Sequence, residues 1–213
     1  SLQSAFGQTE ASPMICLNHD DVTFDDICYS AGQPLPHTSV SIRHPETGAV
    51  LDVGEVGEIC AKGYNVMIGY HNNFDATHAA IDEDHWLHTG DLGKLDKRGF
   101  IRVTGRVKDM IIRGGENHFP AEIENTLIES PQVAEVAVVG IPDEKWGEVI
   151  AAFVRTEEGK PLDTDDLKSF CRSHLSPQKT PSIWRHVDAF PLTGSGKIQK
   201  FKIRDKYLSG DYE

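Results

Sequence analysis

Two apolar runs in the second half of the chain, QVAEVAVVG at 132–140 and EVIAAFVRT at 148–156, limit the fold more than any other feature. Short valine-rich runs of this kind read as buried strands, and buried strands need other elements to cover them. The neighbouring sequence supplies those elements. PAEIENTLIES places Ile123, Leu127 and Ile128 at helical spacing behind Pro120, a residue suited to the first helical position. DTDDLKSFCRSH offers Asp163 or Thr164 as a cap and sets Leu167, Phe170 and Cys171 on one face. KDMIIRGG reads as a strand and turn, SIWRHVDAF as a third strand and KFKIRDKYL as a short closing helix. The expected unit is a compact α+β domain over residues 109–213, with a central three-stranded sheet, flanking helices and a start within GRVKD.

Upstream the pattern is different. The runs SVSIR, GEICAKG and FIRVTG are separated by the turn signals HPETG, VGEVG and DKRG. Apolar residues alternate at Val40 and Ile42, and again at Ile101 and Val103, which gives each run a face to bury. A small antiparallel sheet or barrel is expected within residues 1–108, so the whole chain is of α+β class with two domains. There is no internal repeat and no low-complexity segment.

Charge and composition narrow the function. The formal net charge of −12 over 213 residues opposes nucleic-acid binding, which needs an excess of Lys and Arg to neutralise phosphates. No apolar run approaches the roughly 20 residues that span a bilayer, and the opening SLQSAFGQTE has neither a basic nor an apolar leader region. A cytoplasmic protein with no transmembrane segment is expected. Cys16, Cys28, Cys60 and Cys171 are scattered, which predicts reduced thiols rather than a zinc site or a disulfide framework. His78, His85 and His88 have no further ligand at a recognisable metal spacing.

Four segments carry groups suited to phosphate, metal or sugar chemistry, and each also has an ordinary reading. In FGQTE, Thr9 offers a hydroxyl to a phosphate oxygen and Glu10 a hard carboxylate to magnesium; the alternative is a polar loop with a capping threonine. In HWLHTGD, Asp91 follows the turn Thr89-Gly90, where a carboxylate can accept both hydroxyls of a ribose; the alternative is a surface turn. In GRVKDMIIRGGENHFPAEIE, Arg106 can donate to a ribose or phosphate, and Gly114 and Gly115 let a ligand approach the backbone; the alternative is a solvated charge and a hairpin turn. PLTGSGKIQK presents Lys197 between small residues. It is not the phosphate loop of nucleotide hydrolases, because Pro191 replaces the first glycine and Ile198 the magnesium-binding hydroxyl. Its ordinary reading is a mobile loop with an exposed lysine.

The order FGQTE, GEVGEI, LHTGD, GRVKDMIIRGGEN, KWGE, PLTGSGK resembles the C-terminal half of the acyl-adenylate-forming enzymes, which include acyl-CoA synthetases, firefly luciferase and peptide-synthetase adenylation domains. The resemblance covers nearly the whole chain. DMIIRGGENHFPAEIE is similar to the acyl-CoA synthetases of fatty and related acids, whereas adenylation domains carry a different run there. The resemblance implies an acid-thiol ligase that uses ATP, magnesium and coenzyme A, forming an acyl-adenylate and then a thioester, with AMP released. It implies that Thr9 contacts the α-phosphate, Glu10 holds magnesium, Phe6 and Gly7 lie beside the adenine, and Asp91 and Arg106 bind the ribose. It further implies Asp109 as a hinge for the C-terminal domain, and Gly114, Gly115 and Glu116 as the passage for the pantetheine arm. Trp146 would stack on the adenine of coenzyme A, and Lys197 would bridge the carboxylate and the α-phosphate.

The chain departs from the pattern at a few places. Gln178 stands where an aromatic often precedes the lysine of Y-K-x-P, leaving Lys179 and Pro181. His85 and His71 replace a common glycine and tryptophan and read as surface changes. The glycine- and serine-rich loop that holds the β- and γ-phosphates in the family is absent from these residues, so the isolated chain is expected to be inactive, either as a piece of a longer enzyme or as a stand-alone remnant. Three alternatives remain: a non-catalytic module binding nucleotide, coenzyme A or a protein, an adenylation domain of the peptide-synthetase type, and a luciferase-like oxygenase.

Overall fold

The computed structural model describes residues 2–157 and 160–212. They divide into two compact units, Ser1–Lys108 and Asp109–Glu213.

The first unit contains a small sheet of β1 (Ala5–Phe6), β2 (Cys16–Leu17) and β3 (Gln33–Pro34), and a larger one of β4 (Thr38–Arg43), β5 (Gly57–Gly63), β6 (Leu87–Leu95) and β7 (Ile101–Arg106). The larger sheet is an antiparallel meander in the order β4-β5-β6-β7, and it remains open. The barrel form of the sequence expectation is therefore corrected to a sheet, since four strands are too few to close around side chains. Ile42, Ile59, Ala61, Leu87 and Ile101 project from it into a core shared with Ala11, Ile15 and Cys16. Val103 does not join them: it lies opposite Gly93 on the edge strand and is 43% exposed. Two short helices not expected from the sequence, α1 (Phe24–Tyr29) and α2 (Phe74–Ala80), begin at caps from Thr23 and Asn73.

In the second unit β8 (Ile111–Arg113) and β9 (Glu116–His118) form a hairpin, followed by α3 (Pro120–Ile128), β10 (Val133–Asp143), β11 (Gly147–Thr156), α4 (Thr164–His174), β12 (Ile183–His186) and α5 (Lys200–Leu208). β10 and β11 pair antiparallel along their length, β12 joins β11 in parallel, and β8 meets β11 at Gly147. The expected three strands are thus part of a five-stranded sheet, in which β11 is central, β10 lies at one end and the β8–β9 hairpin is added beside β12.

Both faces of β10 and β11 are covered, which explains why their sequences are nearly continuous in apolar residues. On one face Val138, Ile150, Ala152 and Val154 pack with Ile123 and Leu127 of α3 and Leu167 and Cys171 of α4. On the other, Ala137, Val139, Ala151 and Phe153 pack with Ile203 of α5, and Tyr207 meets Phe153 edge-on at 5.8 Å. Fully burying a side chain such as Phe153 contributes roughly 1.5–3 kcal/mol. Asp163 caps α4 by accepting from the Asp165 and Asp166 amides at 3.1 and 3.0 Å. Phe170 and Ile128 stay out of the core: Phe170 is half-buried against His174, and Ile128 is 48% exposed, one residue past the inward turn at Leu127. No helix among the described residues is long and apolar enough to cross a membrane.

Candidate functional site

In the first unit three of the sequence segments meet. β5 and β6 pair at Cys60–His88 and at Glu58–Leu92, so Thr89, Gly90 and Asp91 stand opposite Ile59 alone. The surplus residues form a bulge, and bulges commonly redirect a side chain beside a site. Gly90 has φ +71, a conformation that glycine adopts without strain. The Thr89 hydroxyl donates to the Ile59 carbonyl at 2.7 Å and accepts from the Asp91 amide at 3.1 Å. Asp91 and Arg106 are cross-strand partners, with Arg106 Nε 3.3 Å from Asp91 Oδ1.

Both residues line an open cleft of about 610 Å³, together with Gln8, Tyr70, Glu58 and His88. The cleft therefore draws on FGQTE, LHTGD and GRVKD at once. Glu10 is tied to it through Tyr70, whose hydroxyl donates to Glu10 Oε1 at 2.8 Å. That hydrogen bond also raises the Tyr70 pKa, because ionising the phenol would set it against the carboxylate. The Glu10 main chain is fixed as well, its carbonyl accepting from the Met67 amide at 2.8 Å. A single hard carboxylate with one oxygen committed to a phenol suits a cation such as magnesium, which takes one or two carboxylates and completes its shell with phosphate and water.

Thr9 opens a 3-10 turn, Thr9–Ala11, and is exposed. Phe6 packs partly buried against the core of this unit. Gly7 has a packing reason of its own: a Cβ there would lie 1.9 Å from the Pro13 carbonyl oxygen.

Glu58 is a functional candidate that the sequence does not single out, and it is joined by His88, which the sequence offers only as a histidine without a metal spacing. Glu58 Oε1 accepts from the Gly90 amide at 2.9 Å, and Oε2 stands 2.7 Å from His88 Nδ1. Cys60 Sγ lies 3.6 Å from the same nitrogen. A trio of possible metal ligands, Glu58, Cys60 and His88, is thus brought together where the histidine spacing alone gives no signal. The one available clue is the position of Glu58 in GEVGEI.

In the second unit Gly114 and Gly115 form the two-residue turn between β8 and β9, with φ +60 and +84. Two successive positive values are what a tight hairpin of this type requires. The Gly114 amide donates to the Trp146 carbonyl at 2.8 Å, and a Cβ on Gly114 would meet the indole at 3.0 Å. Arg113 and Lys145 place their cations 5.6 and 4.9 Å from the Trp146 ring centroid. A cleft of about 460 Å³ is lined by Arg113, Gly114, Glu116, His118, Trp146 and Gln178. Trp146 remains 43% exposed beside it, and the two flanking cations suit an anionic ligand carrying a flat ring. His118 is 3% exposed, both ring nitrogens lack a hydrogen-bond partner, and burial lowers its pKa. Lys179 is committed to Glu122 at 2.5 Å.

Lys197 lies on a small hairpin turn in which Leu192 and Ile198 bridge. The Lys197 amide donates to Thr193 Oγ1 at 3.0 Å, and the Thr193 amide to the Lys197 carbonyl at 2.8 Å. The turn is thus hydrogen-bonded across its base, whereas the ammonium is exposed and forms no ion pair among the described residues. Side chains at Gly194 and Gly196 would meet nothing within 4 Å in the second unit. Asp109 ends the 3-10 turn Val107–Asp109 and is the first residue of the second unit.

Residues 1–71 match the family model of the AMP-binding enzymes, and residues 122–197 that of the AMP-binding enzyme C-terminal domain. The sequence is 46% identical over 204 residues to YngI of Bacillus subtilis, covering 96% of this chain and 37% of that protein. It is 44% identical over 202 residues to the mitochondrial medium-chain acyl-CoA ligase ACSF2 of Bos taurus, covering 95% and 33%. Among solved structures, ATP-bound MatB from Rhodopseudomonas palustris superposes with a TM-score of 0.89 at 34% identity, over 97% of this chain and 40% of that one. The o-succinylbenzoate CoA synthetase MenE of Bacillus subtilis, in complex with its acyl-adenylate intermediate, gives 0.85 at 37% identity, over 95% and 41%. The chain spans about a third of the length of the curated relatives it matches.

Proposed function

Since the chain belongs to the AMP-binding enzymes, we propose that it forms the ribose-binding part and the mobile C-terminal domain of an AMP-forming acyl-CoA synthetase. In the first half-reaction a carboxylate oxygen attacks the α-phosphorus of ATP and pyrophosphate leaves. In the second, the thiol of coenzyme A attacks the acyl carbon, losing its proton, and AMP leaves. The observation that carries the reading is the convergence of Gln8, Asp91 and Arg106 on one cleft, with the Asp91 carboxylate set out on a bulge.

In this reading Asp91 accepts from the ribose hydroxyls and Arg106 steadies the same sugar. Thr9 donates to the α-phosphate, with Phe6 and Gly7 beside the adenine. Glu10 would hold magnesium, which supplies charge neutralisation to the phosphates when bound. Residues 1–108 are the C-terminal portion of the nucleotide-binding domain and residues 109–213 the mobile domain, with Asp109 as the hinge. A single site must present Lys197 for adenylation and withdraw it to admit a thiol, and a rotation at a few backbone positions meets that demand. Gly114, Gly115 and Glu116 then border the pantetheine arm, and Trp146 stacks on the adenine of coenzyme A. The Arg113 and Lys145 cations beside Trp146 support an anionic nucleotide there, even though Gln178 replaces the second aromatic.

The acid is proposed to be a fatty acid. The GGENHFPAEIE run and the medium-chain name of the ACSF2 relatives support this. The proposed compartment is the cytoplasm, in keeping with four unpaired cysteines, while the ACSF2 relatives bear a mitochondrial name. The 213 residues alone contain no glycine- and serine-rich phosphate loop and are expected to release no pyrophosphate from ATP in response to a fatty acid.

Calorimetric titration of AMP and of coenzyme A into the chain tests the reading. Both are expected to bind, with Asp91→Ala weakening AMP alone and Trp146→Ala weakening coenzyme A alone. Binding of neither ligand would leave an interaction module, and the proposal would fall.

A further inference from the structure

We propose that Glu58 is the positioning residue for Asp91, holding the bulged turn of β6 in the shape that aims the Asp91 carboxylate into the cleft. The inference rests on the ribose reading of Asp91 and adds a residue that this reading does not include.

Between the pairs Cys60–His88 and Glu58–Leu92 a single β5 residue faces three β6 residues, so the bulge loses the amide and carbonyl partners of a regular sheet. Two side chains replace them. The Thr89 hydroxyl takes the Ile59 carbonyl at 2.7 Å, and Glu58 Oε1 takes the Gly90 amide at 2.9 Å. A threonine within the bulge can close only its own corner. Glu58 comes from the neighbouring strand and ties the tip of the turn to the sheet.

Glu58 is itself held in place. Its residue is 8% exposed, and a buried carboxylate needs donors on both oxygens. The second donor is His88 Nδ1 at 2.7 Å; because a carboxylate only accepts, that nitrogen carries the proton. On its far side His88 Nε2 lies 3.6 Å from Asp82 Oδ2, and Asp82 Oδ2 accepts from Arg43 Nη1 at 3.1 Å. Arg43 in turn sits 4.6 Å from the centre of the Trp86 ring. A chain of charge-assisted contacts, Arg43 to Asp82 to His88 to Glu58 to the Gly90 amide, ends one residue from Asp91. Glu58, Cys60 and His88 also offer three donor atoms to a thiophilic ion, but binding one would remove the proton from His88 Nδ1 and draw Glu58 off the turn. The hydrogen bonds already present favour the positioning role.

The test uses the 213-residue chain with Glu58→Ala, Glu58→Asp and Glu58→Gln. Amide hydrogen exchange at Gly90, followed by nitrogen-15 NMR, is expected to speed up at least tenfold in the alanine variant. The aspartate variant, whose carboxylate is one methylene short, should do the same and serves where the alanine variant does not fold. The glutamine variant keeps an acceptor and should stay near wild type. In parallel, AMP and 2′,3′-dideoxy-AMP are titrated: the wild-type preference for AMP should shrink towards one in Glu58→Ala, with affinity for the dideoxy nucleotide unchanged. Unaltered Gly90 exchange in both shortened variants would overturn the proposal, as would zinc chloride binding that is lost in Cys60→Ala. If the wild type fails to distinguish the two nucleotides, the ribose reading falls, and Gly90 exchange still decides whether Glu58 holds the turn.

Discussion

Arg106 Nε stands 3.3 Å from Asp91 Oδ1, and the two residues face each other across the β6–β7 ladder. The Arg106 side chain is 62% exposed, so the pair contributes between zero and about 1 kcal/mol to stability. Its greater consequence is directional. The guanidinium fixes one carboxylate oxygen while the same two side chains border the cleft.

Asp91→Asn should therefore change thermal stability by less than about 1 kcal/mol. Its effect on AMP should be larger, because hydrogen bonds to a charged acceptor are worth about 1.5–3 kcal/mol, or roughly tenfold to a hundredfold in affinity. Thermal melts and calorimetry on the same samples separate the two. A variant that loses stability but binds AMP normally would place Asp91 in the scaffold and not in the site.

The fold is legible in sequence where burial is two-sided. β10 and β11 read directly because both faces are covered, and α3 and α4 read from Ile123, Leu127, Leu167 and Cys171. Short elements read poorly: α2 buries no side chain, so no periodicity marks it. The site is legible in part for a related reason. Asp91 and Arg106 belong to local motifs, whereas Glu58 acts on Gly90 from 32 residues away, and only strand register brings the two together. The bulge that creates the need for Glu58 has no local signature beyond Gly90.

Asp26 links α1 to the β6–β7 turn through Arg98, with Nη2 to Oδ1 at 2.6 Å and Nη1 to Oδ2 at 3.3 Å. The Arg98 guanidinium first, and Thr23 second, hold the Asp26 carboxyl down to about 2. A carboxylate with a lowered folded pKa stabilises above its ordinary value near 3.9 and loses that contribution as pH falls towards the folded value. Asp26→Asn should lower the melting temperature at pH 6, and the gap to wild type should narrow as pH drops from 4 to 3. A constant gap would show that the ionised carboxylate is not the source.

His118 titrates in the opposite setting. Burial keeps the imidazole neutral and its pKa low, with Glu116, Arg113, Lys179 and Glu122 as the nearby charges. Below about 6.5 the unfolded chain takes up a proton that the folded one resists, so stability is full above that pH and declines beneath it. His118→Leu should flatten the stability profile of the second unit between pH 7 and 5, as read by denaturant unfolding. An unchanged slope would remove His118 as its cause.

Three of the four cysteines are buried, and burial pushes the thiols of Cys16 and Cys60 up to about 12 and that of Cys171 up to about 11. Only thiolates react rapidly with disulfide reagents. One thiol, Cys28, should react within minutes in the native chain at pH 8, and all four after unfolding in denaturant. Rapid reaction of more than one native thiol would contradict the packing of these cores.

We propose that Lys197, exposed on its hairpin turn, delivers charge to the α-phosphate. At about 4 Å and an effective dielectric near 20, a unit charge pair is worth roughly 4 kcal/mol, and removing one such transition-state contact slows a reaction by on the order of a hundred- to a thousandfold. The decisive measurement compares the two half-reactions in the complete enzyme carrying Lys197→Ala: acid-dependent exchange of pyrophosphate into ATP, and thioester formation from a preformed acyl-adenylate. With Lys197 in that role, exchange falls by at least about a hundredfold while thioester formation stays within a few-fold of wild type. An equal fall in both, or undiminished exchange, would contradict it.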